Sequence, residues 1–196
     1  MKIELSDIKN ILEYEREREE FRDRIIEIKK DRRISVGETI TFVFENRDTV
    51  LFQIQEMVRA ERIVDNKKIQ DEIDTYGELL PGERTLSATM FIEIEDQARI
   101  KPTLERFLGI TRPGVVKLEV DEQFTVNADF EGGREEEETG RVAAVQYCKF
   151  TLDEAAFKAF MKRVAPVYLV VDHPNYKASA RLTEANLASL RADLTS

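Results

Sequence analysis

Two runs of period two, set back to back, constrain this chain more than any other feature. Val116, Leu118 and Val120 alternate with polar or charged residues, and after Asp121-Glu122 the pattern returns at Phe124, Val126, Ala128 and Phe130. Successive side chains on a strand point to opposite faces, so each run is a strand with one buried face. A link this short cannot carry a parallel crossover, so it closes an antiparallel hairpin. More of the same surrounds it. Leu86, Ala88, Met90, Ile92 and Ile94 alternate, and RVAAVQYCKF is apolar enough on both faces for a central strand. VYLVV and YKASARL flank DHPNY, whose Asp, Pro and Asn favour a turn. Tyr176, Ala178, Ala180 and Leu182 then share a face. The acidic segment Glu131–Gly140 cannot contribute to a core, which predicts a mobile hairpin tip dispensable for folding.

The first half is mostly helical in pattern. Ser6 or Asp7 is expected to cap a long helix running to about Arg33, with Ile11, Tyr14, Phe21, Ile25 and Ile28 at near-heptad spacing. That stripe predicts either a homodimer or a long helix packed on its own domain's sheet. TITFVFE reads as a half-buried strand. Asn46 or Asp48 then caps a helix whose Val50, Leu51, Ile54, Met57 and Val58 share one face. A polar helix from about Lys67 to Leu80 stops at Pro81-Gly82. Helices are expected from about Thr103 or somewhat earlier to Leu108, after Asp153 and after Thr183. The class is therefore α+β, with a largely antiparallel sheet of about six to seven strands, a long N-terminal helix and several packing helices. Residues 1–196 suit a single domain, divisible into a helical lobe 1–82 and an α+β lobe 83–196.

Charged residues make up 35% of the chain and the net charge is −9. That balance argues against a nucleic-acid binder, whose affinity comes from basic patches on phosphates, and against an anionic membrane surface. The first residues are too charged for a signal peptide, and no apolar run is long enough to span a bilayer, so a cytoplasmic location is expected. The single cysteine, Cys148, excludes an intrachain disulfide and a cysteine-built metal site. Glu-x-x-His arrangements do not occur, and no metal or cofactor is expected.

The candidates for ligand binding are polar residues near apolar elements. Gln55, Glu56 and Arg59 lie along one flank of the second long helix, where Arg59 can grip a carboxylate or phosphate or simply pair with a neighbouring helix. Arg32 and Arg33 precede a glycine turn and, with Arg59, can form an anion cluster or a charged helix end. Glu45 is adjacent in sequence. His173, the only histidine, can act as an acid or base with Tyr176 nearby, or serve a turn. Convergence of these groups on one concave pocket would favour an enzyme or small-anion binder. Scattering would favour a non-catalytic accessory or binding protein.

The segments DRRISVG, FENRDTVLFQIQEMVRAERI, LLPGERTLSATMFIEIED, AAVQYCKF and HPNYKASARL run in order over nearly the whole chain. On these, with the motifs FEN, QxxEM and HPxY, the chain resembles a bacterial family classed only as a domain of unknown function. Members of that family are often encoded beside rubrerythrin-like and iron–sulfur oxidoreductase genes. The resemblance implies redox protein partners of those kinds. It implies no reaction, cofactor or catalytic residue.

Overall fold

The protein, as a computed structural model, is described over residues 2–131, 140, 142–162 and 165–195. The segment read above as an acidic hairpin tip lies, apart from its end residues, outside them.

Asn10, not Ser6 or Asp7, caps the first helix, accepting a hydrogen bond from the Glu13 N–H, and α1 runs Ile11–Lys30. Lys29 and Lys30 in its last turn complement the negative end of the helix dipole. The helix stops short of Arg33 because Arg33–Val36 is a strand, β1, which the sequence pattern did not reveal. It pairs antiparallel with β2 (Ile40–Phe44) across a tight turn at Gly37. Helix α2 (Arg47–Ala60) is capped by Asn46, one of the two residues the sequence offers, in a capping box with Thr49. Helix α3 (Asn66–Gly77) and strand β3 (Thr85–Ile92) follow.

Helix α4 spans Ile100–Arg106, the earlier start that the sequence leaves open, and ends before Leu108. Strands β4 (Val116–Val120) and β5 (Phe124–Phe130) form the expected hairpin. Asp121 and Glu122 both sit at positive φ, 54° and 56°, the backbone that matches the right-handed twist of flanking strands. Strand β6 is Val145–Thr151, α5 is Glu154–Met161, β7 (Val167–His173) and β8 (Tyr176–Arg181) make a second hairpin, and α6 is Glu184–Asp193.

The described sheet therefore has eight strands rather than six to seven, all antiparallel, in the order β1-β2-β3-β6-β5-β4-β7-β8. Right-handed twist curls it until its two ends meet, and a near-barrel results. The register stacks apolar side chains on the inner face. Phe44, Ala88, Cys148 and Phe130 lie in one row across β2, β3, β6 and β5, and Leu118 lies between Val126 and Leu169. All of these are buried, so the interior is a packed core rather than a tunnel. Phe160 on α5 and Leu187 and Leu190 on α6 belong to the same core.

A second, smaller cluster lies outside the sheet. Val50, Ile54 and Val58 of α2 meet Ile73 of α3, Ile3 and Leu79, with Tyr147 on the outer face of β6 against them. Leu51 and Met57 of the predicted apolar face are only half-buried. Burying each fully enclosed aliphatic here contributes about 1.5–3 kcal/mol. Helix α1 lies over α2. Tyr14 and Ile25 of its stripe are buried, and Phe21 stacks edge-on against both Tyr14 and Phe52. The stripe thus packs on the chain's own second helix.

Candidate functional site

The polar flank of α2 faces α1 and the N-terminal segment. Gln55 is buried and clamps the Lys9 backbone, accepting its N–H and donating to its carbonyl, each at 2.9 Å. Glu56 receives Arg18 as a fork, Nε to Oε1 at 2.7 Å and Nη2 to Oε2 at 2.9 Å, and the Tyr14 hydroxyl donates to Oε1 at 2.7 Å. The Arg18 hydrogen bonds, helped by Tyr14, hold the Glu56 carboxyl down at about 2. Burial, reinforced by the adjacent carboxylate, pushes the Tyr14 phenol far above its ordinary range. Arg59 reaches Glu15 and Glu56 at 3.4 Å each, while its Nε is buried and has no acceptor.

Arg32 is among the largest fully buried side chains. Its Nε donates to the Phe44 carbonyl at 2.8 Å, Nη2 to the Glu45 carbonyl at 3.0 Å and Nη1 to Ser189 Oγ at 2.9 Å, and Asp193 is its ion-pair partner. Burial raises the Asp193 carboxyl above the usual range, against the pull of the guanidinium. The pair ties the α1–β1 junction to α6. Arg33, one residue on, points the other way and pairs in solvent with Glu93 at 2.5 Å. The Glu45 carboxylate is buried between the Thr49 and Thr89 hydroxyls, both donating at 2.6 Å.

His173 is buried at the end of β7. Its Nδ1 accepts the Asn175 N–H at 3.2 Å, which leaves Nε2–H to donate to the Leu108 carbonyl at 2.9 Å. Tyr176 closes the seam between the ends of the sheet. Its hydroxyl donates to the Val36 carbonyl at 2.6 Å and accepts the Thr39 N–H at 3.1 Å. Gly37, at φ +71°, is required there, because a Cβ would collide with that hydroxyl.

The candidates do not converge. Gln55, Glu56 and Arg59 stay together on α2. Arg32 touches Glu45 only through the Glu45 carbonyl. The three arginines Arg32, Arg33 and Arg59 engage three separate sets of partners, so they do not form one anion cluster. His173 ties β7 to the segment after α4 and Tyr176 ties β8 to the β1–β2 turn, with the Phe107 ring against both. Cys148 lies in the core, where burial raises its thiol far above the range in which it ionises. Among the described residues no group of three or more His, Cys, Asp or Glu side chains is placed to hold a metal ion, and no helix is long and apolar enough to cross a membrane.

A large concavity lies elsewhere among the described residues, an open cleft of about 1050 Å³ between the β1–β2 turn, the β3–α4 connection and the start of β8. Tyr176, Phe107 and Ala178 line it together with Glu38, Glu93, Glu95 and Asp96, and with Arg99, Arg106 and Lys177. Of the sequence candidates only Tyr176 reaches it. The one hint of it in the sequence is EIEDQARIK, where acidic residues give way to basic ones within a few positions.

The family model described as Protein of unknown function (DUF3501) matches residues 2–194. The chain belongs to the DUF3501 family. The fold agrees with the crystal structure of a novel protein of unknown function from Burkholderia pseudomallei K96243, which is 32% identical to this chain, with a TM-score of 0.91. That match covers 99% of this chain and 100% of the Burkholderia chain. No curated protein matches. Family and neighbour alike are of unknown function, and neither indicates redox partners.

Proposed function

We propose that this DUF3501 protein is a non-catalytic accessory or binding protein of the cytoplasm. One observation carries the reading: each titratable candidate is already engaged by its own chain. Glu56 is an ionised carboxylate held by Arg18 and Tyr14, and His173 has a partner at both ring nitrogens. A general acid or base needs a group free to exchange its proton with a bound reactant. The partners to test first are those implied by the sequence resemblance, rubrerythrin-like proteins and iron–sulfur oxidoreductases. Calorimetry of the purified chain against such proteins from the same bacterium should give saturable binding. Absence of binding to both kinds would remove the redox partners from the reading.

A small-anion site is the second reading, and the buried, unpartnered Arg59 Nε favours it. Titration with inorganic phosphate and with a dicarboxylate should then raise the melting temperature of the native chain and not of Arg59→Ala. Equal shifts in both proteins, or none, would dismiss the site.

A further inference from the structure

The segment that precedes α1, residues 2–9, is held to the rest of the protein by side chains alone. Its own backbone hydrogen bonds, Asp7 N–H to the Glu4 carbonyl and Ile8 N–H to the Leu5 carbonyl, close a turn within it. Among the described residues, no hydrogen bond joins its backbone to the backbone of another element. Two residues of α2 carry most of the polar ties. Arg47 donates from Nε to the Lys2 carbonyl at 3.1 Å and pairs with the Asp7 carboxylate at 2.8 Å. Gln55, two turns on, takes both the N–H and the carbonyl of Lys9. The Lys9 ammonium pairs with Glu17 of α1. On the apolar side, Ile3 is buried and Leu5 and Ile8 are half-buried against the cluster that holds Val50, Ile54, Ile73 and Leu79.

This is how a groove grips a peptide. A side-chain amide that matches both groups of one peptide unit reads backbone, while apolar contacts and one fixed cation select side chains. Gln55 is 1% exposed, and a buried amide beside an apolar cluster needs a chain to match it. A segment with no backbone ladder to break and one fully buried side chain can come away while the helices beneath stay folded. We infer that the face of α2 and α3 under residues 2–9 is a peptide groove, that these residues are a strap occupying it, and that an extended segment of a partner protein, of the same make-up as the strap, takes the strap's place. The fit asks for three apolar side chains spaced as Ile3, Leu5 and Ile8, a carboxylate for Arg47 and a peptide unit for Gln55. The inference rests on the reading of a binding protein and gives that reading its docking place. The strap is then a built-in competitor, because only chains with the strap off can take the partner.

Hydrogen exchange on the native chain tests the strap. Protection of the Lys9 amide should be lower than that of the Ile54 amide in α2 by about tenfold or more, since the strap opens without global unfolding. Equal protection would mean that it leaves only when the whole chain unfolds, and would overturn the proposal. A labelled peptide with the sequence of residues 2–10, titrated against the full chain by fluorescence anisotropy, tests the groove. Ile3→Asp loosens the chain's own strap and should bind the peptide about tenfold or more tighter than the native chain does. Circular dichroism should show native helix content in this variant. Adding Arg47→Glu should weaken binding again, and a peptide carrying Asp7→Lys should restore it, because the pair regains opposite signs. A folded Ile3→Asp chain that takes no peptide, or takes both peptides alike, overturns the groove. A native chain of twice the monomer mass that the peptide reduces to a monomer would give the groove to the strap of a second copy and overturn the partner. The calorimetry against whole partner proteins is independent of all these results.

Discussion

The protein closes two seams with polar side chains, and the seams are built differently. Where β1 meets β8 and α6, Arg32, fully buried, and Tyr176, half-buried, donate to backbone carbonyls, and Arg32 also to Ser189 and Asp193. Where α1 meets α2, Arg18 and Arg59 meet carboxylates at the surface, with about a quarter of each side chain in solvent. The barrel seam has little tolerance, because a buried partner left alone has no water to turn to. The helical seam is buffered by solvent, and its ion pairs are screened by salt. Identical residue types thus act as structural pins in one place and as adjustable contacts in the other.

Arg32→Ala breaks the contrast most severely. It takes the buried guanidinium away from Asp193 and from the Phe44 and Glu45 carbonyls, and should cost about 3–5 kcal/mol in urea unfolding. A loss under about 1 kcal/mol would mean that water reaches the seam.

Acid should act next, and on the helical seam. Glu56 titrates at about 2 in the folded chain, below its ordinary 4.5. A lowered carboxyl stabilises the fold above its unfolded value, and that stability is lost as pH falls through the folded one. Stability should therefore drop by about 1–3 kcal/mol between roughly pH 5 and pH 2 through this group, allowing for its partial exposure. Glu56→Gln should flatten that part of the pH profile of urea stability. An unchanged acid limb would assign the loss to other carboxyls.

Tyr176→Phe keeps the ring against Phe107 and removes only the hydroxyl that bridges Val36 and Thr39. A cost of about 1–2 kcal/mol is expected, with faster amide exchange at Thr39 as the local sign. The smallest effect should come from Arg59→Ala, about 0–1 kcal/mol, since its acceptors lie at 3.4 Å near the surface. A loss of 3 kcal/mol or more there would place this arginine with Arg32 and erase the distinction between the seams.

Short-range features of the fold were legible in the sequence. The Asp121-Glu122 hairpin, the Asn46 cap and the Asp153 and Thr183 caps are set by neighbours a few residues apart, and the structure has all of them. Strand β1 was not legible, because RISV is too short for alternation to stand out and directly follows a charged helix. Its status as a strand comes from pairing with β2. The apolar stripe of α1 was legible, but not that α2, rather than the sheet, packs against it within the chain: spacing specifies a face, not what covers it. The cleft was the least legible of all. Its walls come from Glu38, from residues 93–107 and from Tyr176–Ala178, which become neighbours only once the sheet has curled.

The bond between Arg32 and Asp193 also sets a timetable. The two residues are separated by 161 positions, and β3 finds its neighbour β6 only after more than fifty intervening residues. At about 5–20 residues per second on a ribosome, the first three strands wait several seconds with the β3 edge bare, and the guanidinium of Arg32 waits longer still for its carboxylate. An unpaired edge beside exposed apolar side chains is a template for wrong pairing. The nascent chain is therefore most exposed to misassembly before β6 emerges, and folding in the cell is governed by the last elements to be made rather than the first.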